Sequence, residues 1–325
     1  MASLLAEEVK TYAGILVKRV LPGGAIEHLR RFSRKRARSR RRHGSAEQKA
    51  PFTRERLAAD LSALGLRQDQ DVLIHAAFSA LGPVENGPAG ILDAIRDVVG
   101  PDATILAPAY PMSGTMCEWM TSSTPFDVKN SRSCMGAVSE YMRSLPQARR
   151  SAHPTHSVVA IGPEAAAYTA RHHEGETPAG PLSPFWFHMR KGGGILCLGS
   201  GIGKVTSYHV IEDLVPDFPL NVYCMQPFEK LVRFEDGSSR RIRTRINDPA
   251  LSPWRVDNFK PKEAEILERL RQCGAVRVGM VGDAISHLMN AAILLELMHD
   301  WLRMGVTIYH LPRWTVPHRG RARST

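Results

Sequence analysis

The chain lacks any long uncharged apolar stretch. No run in its 325 residues approaches the ~18 that a membrane-spanning helix needs. The N-terminus has no continuous apolar core of the secretory kind, and Glu7 and Glu8 stand where such a signal is basic. A cytoplasmic protein is therefore expected. Cysteine is scarce. Cys117, Cys134, Cys197, Cys224 and Cys273 are odd in number and widely spaced, with no C-x-x-C pair. That argues against a disulfide framework and against a zinc ribbon. The G-x-S-x-G elbow of α/β-hydrolases is absent. Of thirteen histidines only His153/His156 and His172/His173 lie close together. Neither set has the i, i+4 helical spacing with a glutamate that a zinc protease uses, so no metal is expected. The glycine-rich stretch 199–206 fails as a nucleotide loop. Leu198 stands where a Walker A motif needs glycine, Val205 stands where it needs Ser or Thr, and Lys204 takes the third glycine position of a dinucleotide fingerprint.

What is present in excess is positive charge, and it is localised. The net charge is +11; residues 1–50 carry +9 and residues 313–325 carry +4, which leaves −2 for 51–312. The basicity belongs to two tails. Residues 3–21 read as an amphipathic helix, with Leu5, Val9, Tyr12, Leu16 and Val20 at helical spacing. Pro22-Gly23-Gly24 ends it, and a run from Arg30 to Arg42 follows. Such an arm is either a solvated appendage or a dock for an anionic partner: lipid, nucleic acid or another subunit. The expected organisation is a basic arm over 1–50, a catalytic domain over 51–312 and a basic tail over 313–325.

From residue 51 the pattern alternates. Helices are expected at 54–64 and 88–99, with strands at 71–76, 104–107, 157–161 and 194–198. Residues 220–246 suggest a β-hairpin excursion around Asp236-Gly237. Helix 262–272, strand 276–281, a long helix 283–303 and strand 306–310 complete the reading. The fold class is α/β: a central, largely buried mixed sheet with helices on both faces, plus the hairpin excursion.

Two segments carry chemistry. One is Arg150-Ser151-Ala152-His153-Pro154-Thr155-His156-Ser157; the other is Thr206-Ser207-Tyr208-His209, with Glu212 three residues on. Each puts histidine beside hydroxyl groups, a combination suited to proton abstraction and to stabilising a developing oxyanion. On the residues alone, a lone histidine such as His209 is more often structural.

In order along residues 52–312, these segments resemble the aminoglycoside 3-N-acetyltransferase family. The strand ending Ile74-His75-Ala76-Ala77-Phe78-Ser79, the Asn86-Gly87 turn, Met135-Gly136, Glu140, the segment 150–157, Ser183-Pro184 and the segment 205–212 all have counterparts there. Ala76-Ala77 stands where the family carries serines, and Tyr208 where it carries leucine.

The resemblance implies acetyl-CoA as donor, a sugar-like amine as acceptor and a fold other than the histone-acetyltransferase-like one. It points to His209 as general base, since an ordinary histidine (pKa ~6.5) accepts a proton near neutrality. Glu212 would orient the ring or bind substrate ammonium, and Thr206 or an amide of the 199–206 turn would donate to the oxyanion. His153 is either a second site residue or a structural one. The cofactor side is expected at His75, Ala76, Ala77, Phe78, Ser79, Asn86 and Gly87, with the diphosphate at the start of helix 88–99. A polycationic acceptor calls for acidic residues, with Glu118, Glu174, Glu176, Glu212 and Asp213 as candidates. Two alternatives stay open. One is the same chemistry on an amino sugar, sugar nucleotide or natural-product amine in a biosynthetic pathway. The other is a non-catalytic protein whose arm grips an anionic surface.

Overall fold

The computed structural model describes residues 2–20, 49–112 and 114–311. The stop expected at 22–24, the Arg30–Arg42 run and the tail 313–325 lie outside the described residues. The strands are β1 (Val72–Ala76), β2 (Ile105–Pro108), β3 (Phe126–Asp127), β4 (Arg149–Arg150), β5 (Val158–Ile161), β6 (Gly194–Leu198), β7 (Phe228–Arg233), β8 (Ser239–Thr244), β9 (Val276–Val281) and β10 (Ala284–Asn290). Seven of them form one mixed sheet in the order β4-β5-β2-β1-β6-β10-β9. Its centre, β2-β1-β6, is parallel; β5 and β10 join antiparallel on either side.

Both faces of this sheet are covered, and the period-2 alternation of strand side chains divides the core in two. Leu73, Leu106, Ile195 and Cys197 point to a layer that contains the helices Pro184–Lys191, Lys260–Gln272 and Ala291–Arg303. Val72, Ile74, Ile105, Leu196 and Leu198 point to the other, with Arg54–Leu64, Pro88–Val99 and Ala137–Ser144. The helix Pro88–Val99 shows why these residues fold this way. Gly87 caps its start, Pro88 occupies the first turn, and Gly100 ends it. Ile91 and Ile95, one turn apart, are fully buried. Truncating either to alanine removes about 2–5 kcal/mol of stability by the usual cost of a core cavity.

The excursion expected at 220–246 is the antiparallel pair β7–β8, closed at Gly237 in the left-handed region. With β3 it makes a second, three-stranded sheet over Phe126, Val232 and Ile242. Two segments differ from the sequence expectation. Residues 284–290 are strand β10, not the first half of a long helix, and the helix begins only at Ala291. Gly282, at φ +57°, turns β9 back on itself so that β10 pairs with it along six residues. Asn290 then accepts a hydrogen bond from the Ile293 amide and starts the helix. The strand expected at 306–310 is reduced to a single bridge, Arg255 to Tyr309.

Candidate active site

The parallel strands β1, β2 and β6 end on the same edge of the sheet. From β1 the chain moves to β2 on one side, while β6 flanks β1 on the other. In open α/β sheets, such a reversal of strand order opens a crevice beyond the carboxyl ends of the strands. A cavity of about 570 Å³ lies there, within the range of ligand sites. Its wall takes His75, Ala76 and Ala77 from the end of β1 and Pro108, Tyr110 and Met112 from the end of β2. The turn after β6 contributes Ser200, Gly201 and Gly203 to Thr206 and then Tyr208 and His209, with Ile202 and Ser207 outside the lining. His156, Met135, Val138, Ser139, Arg255 and Asp257 complete most of it.

The turn after β6 is tightly placed. Gly199 has φ +60°, and a Cβ there would stand 2.9 Å from the Ala80 Cβ and 3.1 Å from that of Ala284. Only glycine lets the strand turn at that point. Ser200 Oγ donates to the His75 carbonyl at 2.9 Å, and the Gly203 amide donates to Glu263 at 3.1 Å. Thr206–His209 is a 3-10 turn that runs into the short helix Val210–Leu214. That geometry brings His209 and Glu212, three residues apart, onto one side.

His209 Nδ1 is 2.9 Å from both Glu212 carboxylate oxygens. Tyr309 donates its hydroxyl to Glu212 Oε1 at 2.9 Å. A carboxylate can only accept, so Nδ1 carries the proton and Nε2 keeps the lone pair. Glu212 is buried behind the ring and fully engaged. It is not among the residues that line the cavity. Arg255 and Asp257 form a bidentate pair at 2.6 and 2.9 Å in the same wall. Burial works against the charge of Arg255, but Asp257 outweighs it and holds the guanidinium above its ordinary value. Burial likewise opposes the charge of Asp257, and Arg255 reverses that, so its carboxyl titrates below the usual range.

Thr206 Oγ1 lies 2.8 Å from the Tyr110 hydroxyl, and both line the cavity. Burial pushes the Tyr110 hydroxyl well above its ordinary pKa, so it stays protonated. With Tyr110 donating to Thr206, the Thr206 hydroxyl proton is left to point elsewhere. His156 stacks obliquely on Tyr110 at 4.8 Å, with its Nδ1 2.9 Å from Thr155 Oγ1. Burial first, and His209 next, lower its proton affinity well below normal, so it is a neutral ring in the wall.

His153 is elsewhere. It is fully buried and absent from the cavity lining. Its Nε2 is 3.1 Å from Thr244 Oγ1 on β8, and its ring stacks on His172 at 4.5 Å. It ties the 150–157 segment to the second sheet. Arg150 also braces this segment. Its guanidinium reaches Ser157 Oγ and the carbonyls of Ala109, Val128 and Ser131, over the Phe126 ring.

The expected cofactor residues separate. His75, Ala76 and Ala77 line the cavity; Phe78, Ser79, Asn86 and Gly87 do not. After Ala77 the chain turns into the helical layer, where Phe78 packs, and the rest of the loop is pinned to Phe52 by Phe52 N to Pro83 O and Glu85 N to Phe52 O. The helix start that reaches the cavity is that of Ala137–Ser144, through Met135, Val138 and Ser139. Of the expected acidic residues, Glu118, Glu174, Glu176 and Asp213 lie outside the lining. Asp213 accepts from the Ala179 amide and from Tyr223, and burial raises its carboxyl to about 6.

A family model described as aminoglycoside 3-N-acetyltransferase matches residues 73–303, more than half of the chain. The chain belongs to that family. It is 32% identical over 275 residues to an aminoglycoside N(3)-acetyltransferase III of Serratia marcescens, covering 78% of this chain and 96% of that one. It is also 32% identical over 279 residues to an aminoglycoside N(3)-acetyltransferase VII of Streptomyces paromomycinus, covering 78% and 92%. Among solved structures, AAC-IIIb in binary complex with CoASH superposes with a TM-score of 0.67 at 29% identity, over 81% of this chain and 99% of that one. Sisomicin-bound AAC-VIa superposes with a TM-score of 0.67 at 28% identity, over 79% and 99%. The α/β expectation, a large mixed sheet with helices on both faces, stands. Among the described residues no group of three or more His, Cys, Asp or Glu is placed to hold a metal, and no helix is long and apolar enough to cross a membrane.

Proposed function

We propose that this chain transfers the acetyl group of acetyl-CoA directly to an amino group of an aminoglycoside, with His209 as general base. Acetyl-CoA supplies an activated acyl carbon as a thioester. The residues present fit such a donor. The cavity is large and mostly apolar, Lys204 is an exposed cation at its edge that pairs with Asp257 at 3.8 Å and could turn to a phosphate, and the helix start at Ala137 reaches its wall. His209 Nε2 takes the proton from the attacking amine. Glu212, backed by Tyr309, holds the ring in that tautomer and stabilises the imidazolium once formed. Thr206 donates its hydroxyl proton where negative charge develops on the acyl oxygen. The observation that supports this reading is the Tyr309–Glu212–His209 chain, which ends on an imidazole in the cavity wall.

The lining favours a second reading of the acceptor. Among the described residues that form it, Asp257 is the one carboxylate, and Arg255 neutralises it. That environment suits an amine with fewer positive charges, such as an amino sugar or sugar nucleotide. A thiol-release assay with acetyl-CoA against aminoglycosides, amino sugars and sugar nucleotides decides between the two. Release with no amine in the panel, under conditions where CoA binding is detected, overturns both.

A further inference from the structure

The helix Ala2–Val20 is turned inside out relative to an ordinary surface helix. At about 100° per residue, Leu5, Val9, Tyr12 and Leu16 fall within one narrow arc. They are 53%, 58%, 43% and 46% exposed. The side turned to the body runs from Glu8, next to the stripe, which is buried and hydrogen-bonded to His310, round through the half-buried Ile15, Thr11, Glu7 and Gly14. The helix thus gives its polar side to the body and its apolar stripe to the outside. An isolated exposed leucine needs no explanation, but a contiguous stripe of four marks a contact surface.

Charge identifies the occupant. Lys10 is exposed on this helix, and Lys18 and Arg19 follow in its last turn. The sequence at 30–42 contains nine Lys and Arg and no acid, and 313–325 adds four arginines. The described chain ends at Leu311, next to the His310 that bonds Glu8 on this helix. A second copy of the chain would bring like charges against each other. A nucleic acid would satisfy the charge and leave the apolar stripe unused. We propose that the outward face of the helix Ala2–Val20 docks on an anionic lipid bilayer. Its apolar stripe inserts at the level of the acyl-chain boundary while the flanking basic residues meet the headgroups. An apolar insertion and a polybasic segment are the two signals that stable, reversible membrane attachment requires.

The test is sedimentation of the full chain with large vesicles, either phosphatidylcholine alone or phosphatidylcholine with phosphatidylglycerol. At least tenfold more protein is expected to pellet with the anionic vesicles. The L5E/L16E variant, altered only at exposed positions, is expected to lose that binding tenfold or more. Its thermal midpoint and thiol release should be unchanged. Equal partitioning onto neutral and anionic vesicles overturns the proposal, as does undiminished binding by L5E/L16E. A vesicle-independent dimer that dissociates in L5E/L16E also overturns it and assigns the face to a second copy. Duplex DNA binding that is intact in L5E/L16E, with no vesicle binding by the parent chain, assigns the charge to nucleic acid instead.

Discussion

Replacing Glu212 by glutamine keeps the shape of the site and changes one property, the direction of a proton. In the native arrangement both carboxylate oxygens accept: from His209 Nδ1 at 2.9 Å and from Tyr309 at 2.9 Å. A glutamine offers one acceptor and one donor group. If Tyr309 continues to donate, it takes the amide oxygen, and the amide nitrogen is left to donate to Nδ1. The imidazole proton then moves to Nε2, and the nitrogen facing the cavity can no longer accept one. In a catalytic triad the same carboxylate-to-amide exchange lowers kcat about 10⁴-fold, and general-base loss alone is worth about 10²–10⁴. Glu212→Gln is therefore expected to lower kcat by roughly 10²–10⁴-fold, with CoA affinity nearly unchanged. His209→Ala should give a loss of the same order. The double variant should be no worse than His209→Ala, because both act through one nitrogen. The measurement is steady-state thiol release for the four proteins, with CoA binding followed by thermal shift. A kcat for Glu212→Gln within about threefold of the parent, or fully additive losses in the double variant, would refute the tautomer argument.

Four further outcomes follow from the same geometry. Thr206→Val should lower kcat about 10²–10³-fold, the usual cost of losing an oxyanion donor, and leave the KM for acetyl-CoA near its original value; unchanged kcat assigns that role to a backbone amide. Arg150→Met orphans the carbonyls of Ala109, Val128 and Ser131, so a loss of roughly 3 kcal/mol is expected from urea unfolding, with Arg150→Lys recovering only part of it. His153, His156 and His172 are buried, and burial first depresses the proton affinity of each, that of His172 to about 3. In the unfolded chain they titrate near ~6.5. The unfolded state then binds more protons as pH falls below that value, so stability present at pH 7.5 is lost on acidification, by up to about 1.4 kcal/mol per pH unit per ring. Urea midpoints at pH 7.5, 6.5 and 5.5 check the slope, and His172→Phe should flatten it. Asp257→Asn removes the counter-charge of a buried guanidinium and is expected to reduce activity at least tenfold by moving Arg255 in the cavity wall; a fully active, equally stable variant removes that pair from the site.

The central layers were legible because short-range rules act there without competition. Pro88, Gly87 and Gly100 bracket a helix whose apolar residues repeat at helical spacing, and the helix found is the helix expected, Pro88–Val99. The misreading at 283–303 has an equally local cause. Ala284-Ile285-Ser286-His287-Leu288-Met289 contains residues that accept either period, and what decides for a strand is the reversal at Gly282 and the unpaired edge of β6, to which residues 287–290 hydrogen-bond. A free sheet edge is a property of the assembled fold, and nothing within seven residues announces it. The same limit applied at 306–310, where one bridge to Arg255 replaces a strand.

The site divides along the same line. His209 and Glu212 are three residues apart, so one turn of helix suffices to join them, and the spacing in the sequence already contained the contact. Tyr110 carried a signal that was not used: it follows Pro108, where β2 ends, and the carboxyl ends of parallel strands are where such folds place their ligands. Arg255 and Asp257 in the cavity wall, and Tyr309 behind Glu212, carried none, since they come from a part of the chain more than forty residues beyond His209. Their arrival changes what the site can select. The polycationic acceptor that the resemblance implies calls for acidic residues, yet two of the candidates are spent on other partners, Asp213 on Ala179 and Tyr223 and Glu212 on His209 and Tyr309. The carboxylate left in the wall is matched by a guanidinium. On the proposed mechanism the base and the charges that choose the amine are set by different parts of the chain, so substitutions at Arg255 and Asp257 are expected to change the acceptor while the Tyr309–Glu212–His209 chain stays as it is.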